Sequence, residues 1–225
     1  MLTEKIRGIL SKSRKTGWVL EPDAKEIFSA WGLPVPRFKW AVSVEDAVTC
    51  AGETGYPVVA KIISPNVVHK SDVGGVITGI RNDRELRQAF AHLSRLDGFL
   101  GILVEETVEG LELIAGAKND PQFGPVVLLG MGGTGVEIYN DVSLRMAPVS
   151  QADVADMVHC LKAAKLLEGY RGKAPVNMTE LSRLMVAFSN LVMEMASDFD
   201  SIDLNPLMCS PERCVIADAR IMLKT

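Results

Sequence analysis

The spacing of apolar and polar positions changes period several times along the chain, and each change marks an element. Thr3 to Lys15 and Pro22 to Trp31 follow helical spacing. Thr3 stands as the N-cap of the first helix, and the second has proline in its first turn and closes at Gly32. Pro34 and Pro36 cannot extend that helix. Arg37 to Val42 then reads as a strand, Ser43 caps a helix to Thr54, and Tyr56 to Ile63 is a strand rich in β-branched residues. A glycine-containing loop leads into a strand over Gly74 to Ile80, and Asn82 caps a helix through about Leu96.

Beyond that helix, Gly101 to Val108, Leu111 to Lys118 and Pro125 to Leu129 have strand character, separated by the short breaks Glu109-Gly110 and Asn119 to Gly124. Connections this tight predict antiparallel neighbours. A glycine cluster, Gly130 to Gly135, precedes a strand over Val136 to Tyr139, and Arg145 to Val149 supplies a further strand. Helical spacing returns over Gln151 to Leu167 and Thr179 to Ser197, and Ile202 to Leu207 with Cys214 to Met222 predicts a hairpin around Ser210-Pro211. No repeat, low-complexity tract or flexible linker interrupts the series. Because regular β-α-β alternation is missing, the order excludes a Rossmann pattern and predicts an α+β architecture in two α/β lobes with a cleft between them.

Composition narrows the partners. The 225 residues are 48% hydrophobic and 23% charged, enough to bury a substantial core, and 24 Lys and Arg against 28 Asp and Glu leave a net charge of −4. That balance argues against nucleic acid or an anionic membrane as the principal partner. Lys61 breaks the apolar run around Val58 to Ile63, so no stretch reaches membrane-spanning length, and the basic first residues lack the apolar core of a secretory signal. The four cysteines are scattered, the closest pair being Cys209 and Cys214, which matches neither a redox nor a zinc motif. Reduced thiols in a cytoplasmic protein are the expectation.

Candidate chemistry begins at Lys61, a lone cation in a buried strand pattern, which is either an edge lysine reaching water or a compact charge aimed at a phosphate. Immediately after it comes His69-Lys70-Ser71-Asp72-Val73-Gly74-Gly75-Val76, where two glycines beside Ser71 and Asp72 mark either a turn or a loop offering N–H groups to an anion. An imidazole beside such a loop is structural or is a nucleophile that accepts a phosphoryl group. The other histidines, His92 and His159, fall in helices and receive no role.

Glu105, Glu106, Glu109 and Glu112 crowd one strand junction. Usually such a run is a solvated turn, but Glu112 opens an apolar strand and suits a ligand hydroxyl. Gly130 to Gly135 with Glu137 forms a second backbone-rich loop, and Arg145 is placed either to grip a phosphate oxygen or to make a surface ion pair. On the final hairpin, Asn205 and Asp218 supply oxygens of the kind Mg²⁺ takes, although isolated Asp and Asn residues are more often turn formers.

Taken in order, these residues resemble the ATP-grasp β subunit of the ADP-forming acyl-CoA synthetases, within the succinyl-CoA synthetase superfamily. The resemblance runs through Ala24-Lys25-Glu26, Gly32-Leu33-Pro34-Val35-Pro36, Val59-Ala60-Lys61, the His69 to Val76 stretch, Val104-Glu105-Glu106, Gly130-Met131-Gly132-Gly133 and Asp203-Leu204-Asn205-Pro206-Leu207, so it covers nearly the whole chain. It implies one ATP-grasp module over 1–225, with a smaller lobe over about 37–105 and a second lobe formed by 106–225 and the N-terminal helices 3–32.

The implied reaction is acyl-CoA + ADP + phosphate ⇌ carboxylic acid + ATP + CoA. An α-type CoA-binding subunit carrying its own phosphorylated histidine is the implied partner. His69 then accepts the phosphoryl group on a mobile loop and passes it to ADP. Lys61 and Arg145 contact phosphates, as do Ser71, Gly74 and Gly75 of the loop. Glu105, Glu106 and Thr107 lie along adenine, mostly by backbone, Glu112 binds the ribose hydroxyls, and Asn205 and Asp218 bind Mg²⁺. Ser201 stands where relatives often carry a glutamate two residues before Asp203, with Asp200 adjacent.

Two other readings remain at this level. One is an ATP-grasp ligase joining a carboxylate to an amine, which normally has an additional N-terminal substrate domain, whereas only the segment before Pro22 precedes the first ATP-grasp helix. The other is a non-catalytic nucleotide-binding module.

Overall fold

Five of the described helices start where short polar side chains cap them. Thr3 Oγ1 accepts the Ile6 N–H ahead of α1 (Glu4–Ser13), Ser43 Oγ accepts the Asp46 N–H ahead of α3 (Val44–Thr54), and Asn82 Oδ1 accepts the Glu85 N–H ahead of α4 (Asp83–Leu93). Ser150 and Asp153 exchange a full capping box at α5 (Gln151–His159), and Asn177 caps α6 (Met178–Glu194). At the end of α2 (Glu21–Ala30), Gly32 adopts φ +84° while its N–H and that of Leu33 reach back to the carbonyls of Ser29 and Phe28. A side chain at Gly32 would oppose that left-handed closure.

A computed structural model describes residues 1–133 and 140–224, so the strand expected over Val136 to Tyr139, and Glu137 with it, lies outside the described residues. The chain divides into two compact units, Pro36–Val108 and a unit made of Met1–Val35 with Glu109–Thr225.

The unit Pro36–Val108 holds a four-stranded sheet, ordered β2 (Phe38–Ala41), β5 (Gly101–Glu106), β3 (Val58–Ile63), β4 (Val76–Ile80), with every neighbour antiparallel. Ala41, Val58, Ala60, Ile62, Ile80, Ile102 and Val104 pack with Ala47, Ala51, Leu86, Ala89 and Leu93 of α3 and α4 into one core. Alternation sends Lys61, Leu103 and Glu105 to the opposite face.

In the other unit the sheet runs β1 (Trp18–Val19), β11 (Ala219–Leu223), β9 (Phe199–Cys209), β6 (Leu111–Asp120), β7 (Gly124–Met131), β8 (Val142–Met146), with β10 (Cys214–Ile216) also on β9. Leu113, Ala115, Ala117, Val127, Leu129, Ile202, Leu204 and Leu207 face the apolar sides of α1, α2, α5 and α6, and Phe28 meets Phe188 at 6.5 Å between ring centroids. Glu112, Gly116 and Asp203 project from the other face.

Four expectations change. β5 and β6 are not partners despite their short connection: β5 is already flanked by β2 and β3, and β6 by β7 and β9. The helix expected over Gln151 to Leu167 stops at His159, because the buried Asp141 carboxylate accepts the Lys162 and Ala163 N–H groups at 2.7 and 2.9 Å, leaving only a 3₁₀ turn at Ala164–Leu166. The strand expected over Arg145 to Val149 lies earlier and ends before Pro148, which has no N–H for the ladder. Cys214 to Met222 breaks at Ala217 and Asp218, whose N–H groups both turn to the Pro206 carbonyl.

Candidate functional site

In the unit Pro36–Val108, Lys61 sits on a central strand, which removes the edge-lysine reading. Lys61 stands opposite Leu103 and Val59 opposite Glu105, a diagonal arrangement within reach of long side chains. The ammonium lies 3.0 Å from the Glu105 carboxylate, with the residues only 5% and 2% exposed respectively. The pairing satisfies two charges that burial would otherwise penalise severely. At the end of β5, Glu106 accepts from Arg37 Nε at 2.9 Å while its own N–H donates to the Arg37 carbonyl, and Thr107 Oγ1 donates to the Pro57 carbonyl at 3.0 Å. The side chains of Glu105, Glu106 and Thr107 thus engage their own unit, and the chain leaves the ladder after Glu106.

The loop after β3 is fastened at both ends. Ser64 Oγ donates to the Asp97 carbonyl at 2.7 Å, and Asn66 Nδ2 donates to the Asp97 carboxylate at 2.9 Å. At the far end the Gly75 N–H meets the Lys70 carbonyl at 2.7 Å, the Gly74 N–H meets the Ser71 carbonyl at 3.2 Å, and the Gly75 carbonyl accepts from Ile62. A Cβ on Gly75 would fall 2.7 Å from Ile62 Cγ2 and 2.8 Å from the Lys70 oxygen. The two glycines therefore close the loop in this conformation, with their N–H groups committed to loop carbonyls. His69 projects exposed between the anchors, with Ser71 and Asp72 exposed after it.

In the other unit, Glu112 lies near the start of β6, and the Gly132 N–H donates to its carbonyl at 2.8 Å. A Cβ on Gly132 would sit 2.7 Å from that carbonyl, and one on Gly133 would sit 3.3 Å from Glu112 Oε2, so the described part of the glycine cluster wraps the carboxylate closely. Glu109, Glu112, Tyr170, Lys173 and Glu212 are among the residues lining a cavity of about 720 Å³ within this unit. Tyr170 and Lys173 carried no sequence signal, lying in a stretch without periodicity.

The ladder that pairs Leu204 with Ala219 and Asp203 with Arg220 puts Asn205 and Asp218 at adjoining positions, where the Pro206 carbonyl accepts the Ala217 and Asp218 N–H groups. A carboxylate and an amide oxygen presented side by side fit the hard, oxygen-only preference of Mg²⁺, which leaves most of its shell to water and phosphate. Among the described residues no group of three His, Cys, Asp or Glu side chains converges, so substrate oxygens would have to complete the shell. Asp203, on the face with Glu112, is held by Arg220 through bonds of 2.6 and 3.1 Å. Ser201 shares that face, and Asp200 is exposed.

Arg145 does not share the Glu112 face. It stands opposite Val127 on edge strand β8 and donates to the Leu144 carbonyl at 2.9 Å. The Asp153 carboxyl is held below its usual range first by bonds from the Ser150 hydroxyl and N–H, and to a smaller extent by the Arg145 charge.

Sequence reasoning also missed the roles of Glu21 and Lys25. The Lys25 ammonium is wholly buried, 2.9 Å from Glu21 and 2.8 Å from the Ala217 carbonyl. Their i, i+4 spacing in phase with the apolar Phe28 was the one available signal.

An ATP-grasp domain model matches residues 11–223. The β subunit of acetate–CoA ligase [ADP-forming] I from Pyrococcus furiosus is 42% identical over 97% of this chain and 98% of its own length. The acetyl-coenzyme A synthetase 1 of Ca. Korarchaeum cryptofilum, solved with coenzyme A and Ca-AMPCP, superposes with a TM-score of 0.92 at 41% identity, covering 97% of this chain and 99% of that one. A second structure of that enzyme, with coenzyme A and Mg-AMPPCP and its phosphohistidine segment pointing towards the nucleotide binding site, gives a TM-score of 0.86 at 39% identity over 97% of this chain and all of that one.

Proposed function

Because the chain belongs to the ATP-grasp family, among the β subunits of ADP-forming acetate–CoA ligases, we propose that it is the nucleotide-binding subunit of an ADP-forming acyl-CoA synthetase and moves a phosphoryl group between a phosphohistidine and ADP. The observation that carries this reading is the placement of His69, exposed at the tip of a loop whose two ends are fastened by Ser64 and Gly75. An imidazole held this way can present its ring nitrogen without the anchors moving. It exchanges phosphate by forming and breaking one P–N bond while the terminal oxygen of ADP makes or leaves the P–O bond.

Phosphoryl transfer asks a protein chiefly for positioning and charge neutralisation. Lys61 supplies a cation for the phosphate oxygens, with Glu105 fixing its direction, and Glu112 accepts from the ribose hydroxyls. The backbone after Glu106 lies along the base, whereas Arg145, opposite Val127 on the other face of its sheet, takes no part in holding the phosphates. Mg²⁺, held by Asn205 and Asp218, would neutralise charge on the phosphate chain when bound. An α-type CoA-binding subunit carrying its own phosphorylated histidine completes the reaction.

Reconstitution tests the reading. The chain, mixed with an α-type subunit from a relative, should turn acyl-CoA, ADP and phosphate into free CoA and ATP, and His69→Asn should abolish this while leaving Mg-ADP binding within about threefold, as expected for a residue that reacts without holding the nucleotide. Equal loss of binding and turnover in that variant would contradict the role given to His69.

A further inference from the structure

Lys25 lies on α2, far in sequence from the final hairpin, yet its ammonium is the donor to the carbonyl of Ala217, the residue immediately before Asp218. The break between β10 and β11 is held from two directions. On the helix side, the Ile216 N–H donates to the Pro34 carbonyl just after α2, and the Ala217 carbonyl accepts from Lys25 at 2.8 Å. On the sheet side, the Ala217 and Asp218 N–H groups converge on the Pro206 carbonyl, next to Asn205, and the Ala219 N–H donates to Asp218 Oδ1 at 2.8 Å.

A carbonyl that has left the ladder inside a protein needs a donor, and here the donor is a charged one that is 0% exposed. Glu21, 2.9 Å away, supplies the opposite charge in this buried site. A lysine that merely stabilised α2 would be met by partners on that helix alone. This one reaches beyond its helix to a backbone oxygen at the bend between Asn205 and Asp218.

The geometry points to Lys25 as a positioning residue for the Mg²⁺-nucleotide site, setting the direction of Asp218 through the Ala217 peptide, with Glu21 as its counter-ion. The inference rests on the assignment of Asn205 and Asp218 to the metal. Groups that orient metal ligands without touching the metal typically change affinity by about 10- to 100-fold when removed.

Calorimetric titration of the full chain with ADP, with and without Mg²⁺, separates the possibilities. Lys25→Met leaves Glu21 buried without its counter-ion and threatens folding, so the apolar pair Glu21→Leu, Lys25→Met is measured beside it, since replacing both members of a buried pair is often tolerated. In both variants the metal-free affinity for ADP should stay within about twofold, while the gain that Mg²⁺ confers should fall about tenfold or more. A gain equal to that of the wild type, or a parallel loss of metal-free binding, overturns the role of Lys25. A wild-type chain whose ADP affinity is indifferent to Mg²⁺ overturns the metal assignment itself, and this inference with it.

Discussion

Replacing Lys61 with methionine should damage the protein in two ways that can be measured apart. The Lys61 and Glu105 charges are 3.0 Å apart and almost wholly buried. At an effective dielectric near 20 their gross attraction is about 5 kcal/mol, set against the cost of desolvating both. Removing only the lysine strands Glu105, for which the usual penalty is about 3–5 kcal/mol. For a chain of this size, that lowers the melting temperature by roughly 6–20 °C.

Adding Glu105→Gln removes the stranded charge and should return about 2 kcal/mol or more. Nucleotide binding should not follow stability. A lysine–phosphate bond is worth about 1.5–3 kcal/mol, so both the single and the double variant should bind Mg-ADP about 10- to 100-fold more weakly. The assays are denaturant unfolding followed by circular dichroism, and calorimetric titration. A single variant within about 1 kcal/mol of wild type would refute the buried-pair argument. A double variant with wild-type affinity would refute the phosphate role.

Gly75→Ala places a methyl against Ile62 and the Lys70 carbonyl, and unfolding in denaturant should show a loss of about 1–3 kcal/mol, whereas an unchanged midpoint would mean that the loop end yields freely. The Tyr56 hydroxyl, desolvated by burial and donating to Asp83 at 2.8 Å, has its pKa pushed up to about 12. Its folded value exceeds its unfolded value near 10, so its contribution is fully present below pH 10 and is lost as pH rises towards 12. Absorbance at 295 nm should show one late-ionising tyrosine that disappears in Tyr56→Phe, and its persistence in that variant would refute the assignment.

The helix caps at Thr3, Ser43 and Asn82 were legible because each depends on one side-chain oxygen reaching an N–H three residues ahead, a local rule that tertiary structure leaves alone. Pairing was not local. β1 is a two-residue strand whose partners, Met222 and Ile221, lie at the other end of the chain, so nothing around Trp18 announces it. Chain adjacency suggested that β5 and β6 pair, while both edges of each were already taken.

The same contrast separates the two buried lysines. Lys61 stood out because a lone charge in a β-branched run demands an explanation. Lys25, among Asp23 and Glu26, has the look of a solvated helix face, and only its phase with Phe28 hints that it points inward. Glu112 and the Asn205–Asp218 pair were visible as residue types at a strand start and on a hairpin, but what surrounds them was not. The Gly132 and Gly133 wrap, and the Pro206 carbonyl that gathers two N–H groups, come from packing between strands distant in sequence.

The most direct test of the account is peptide mass spectrometry of the chain after incubation with Mg-ATP, alone and with an α-type subunit, comparing wild type with His69→Asn. The account predicts an acid-labile phosphoryl group on the peptide carrying His69, formed with release of ADP and absent from the variant. No phosphorylation under either condition despite nucleotide binding, or a phosphoryl group that persists in His69→Asn, would contradict it.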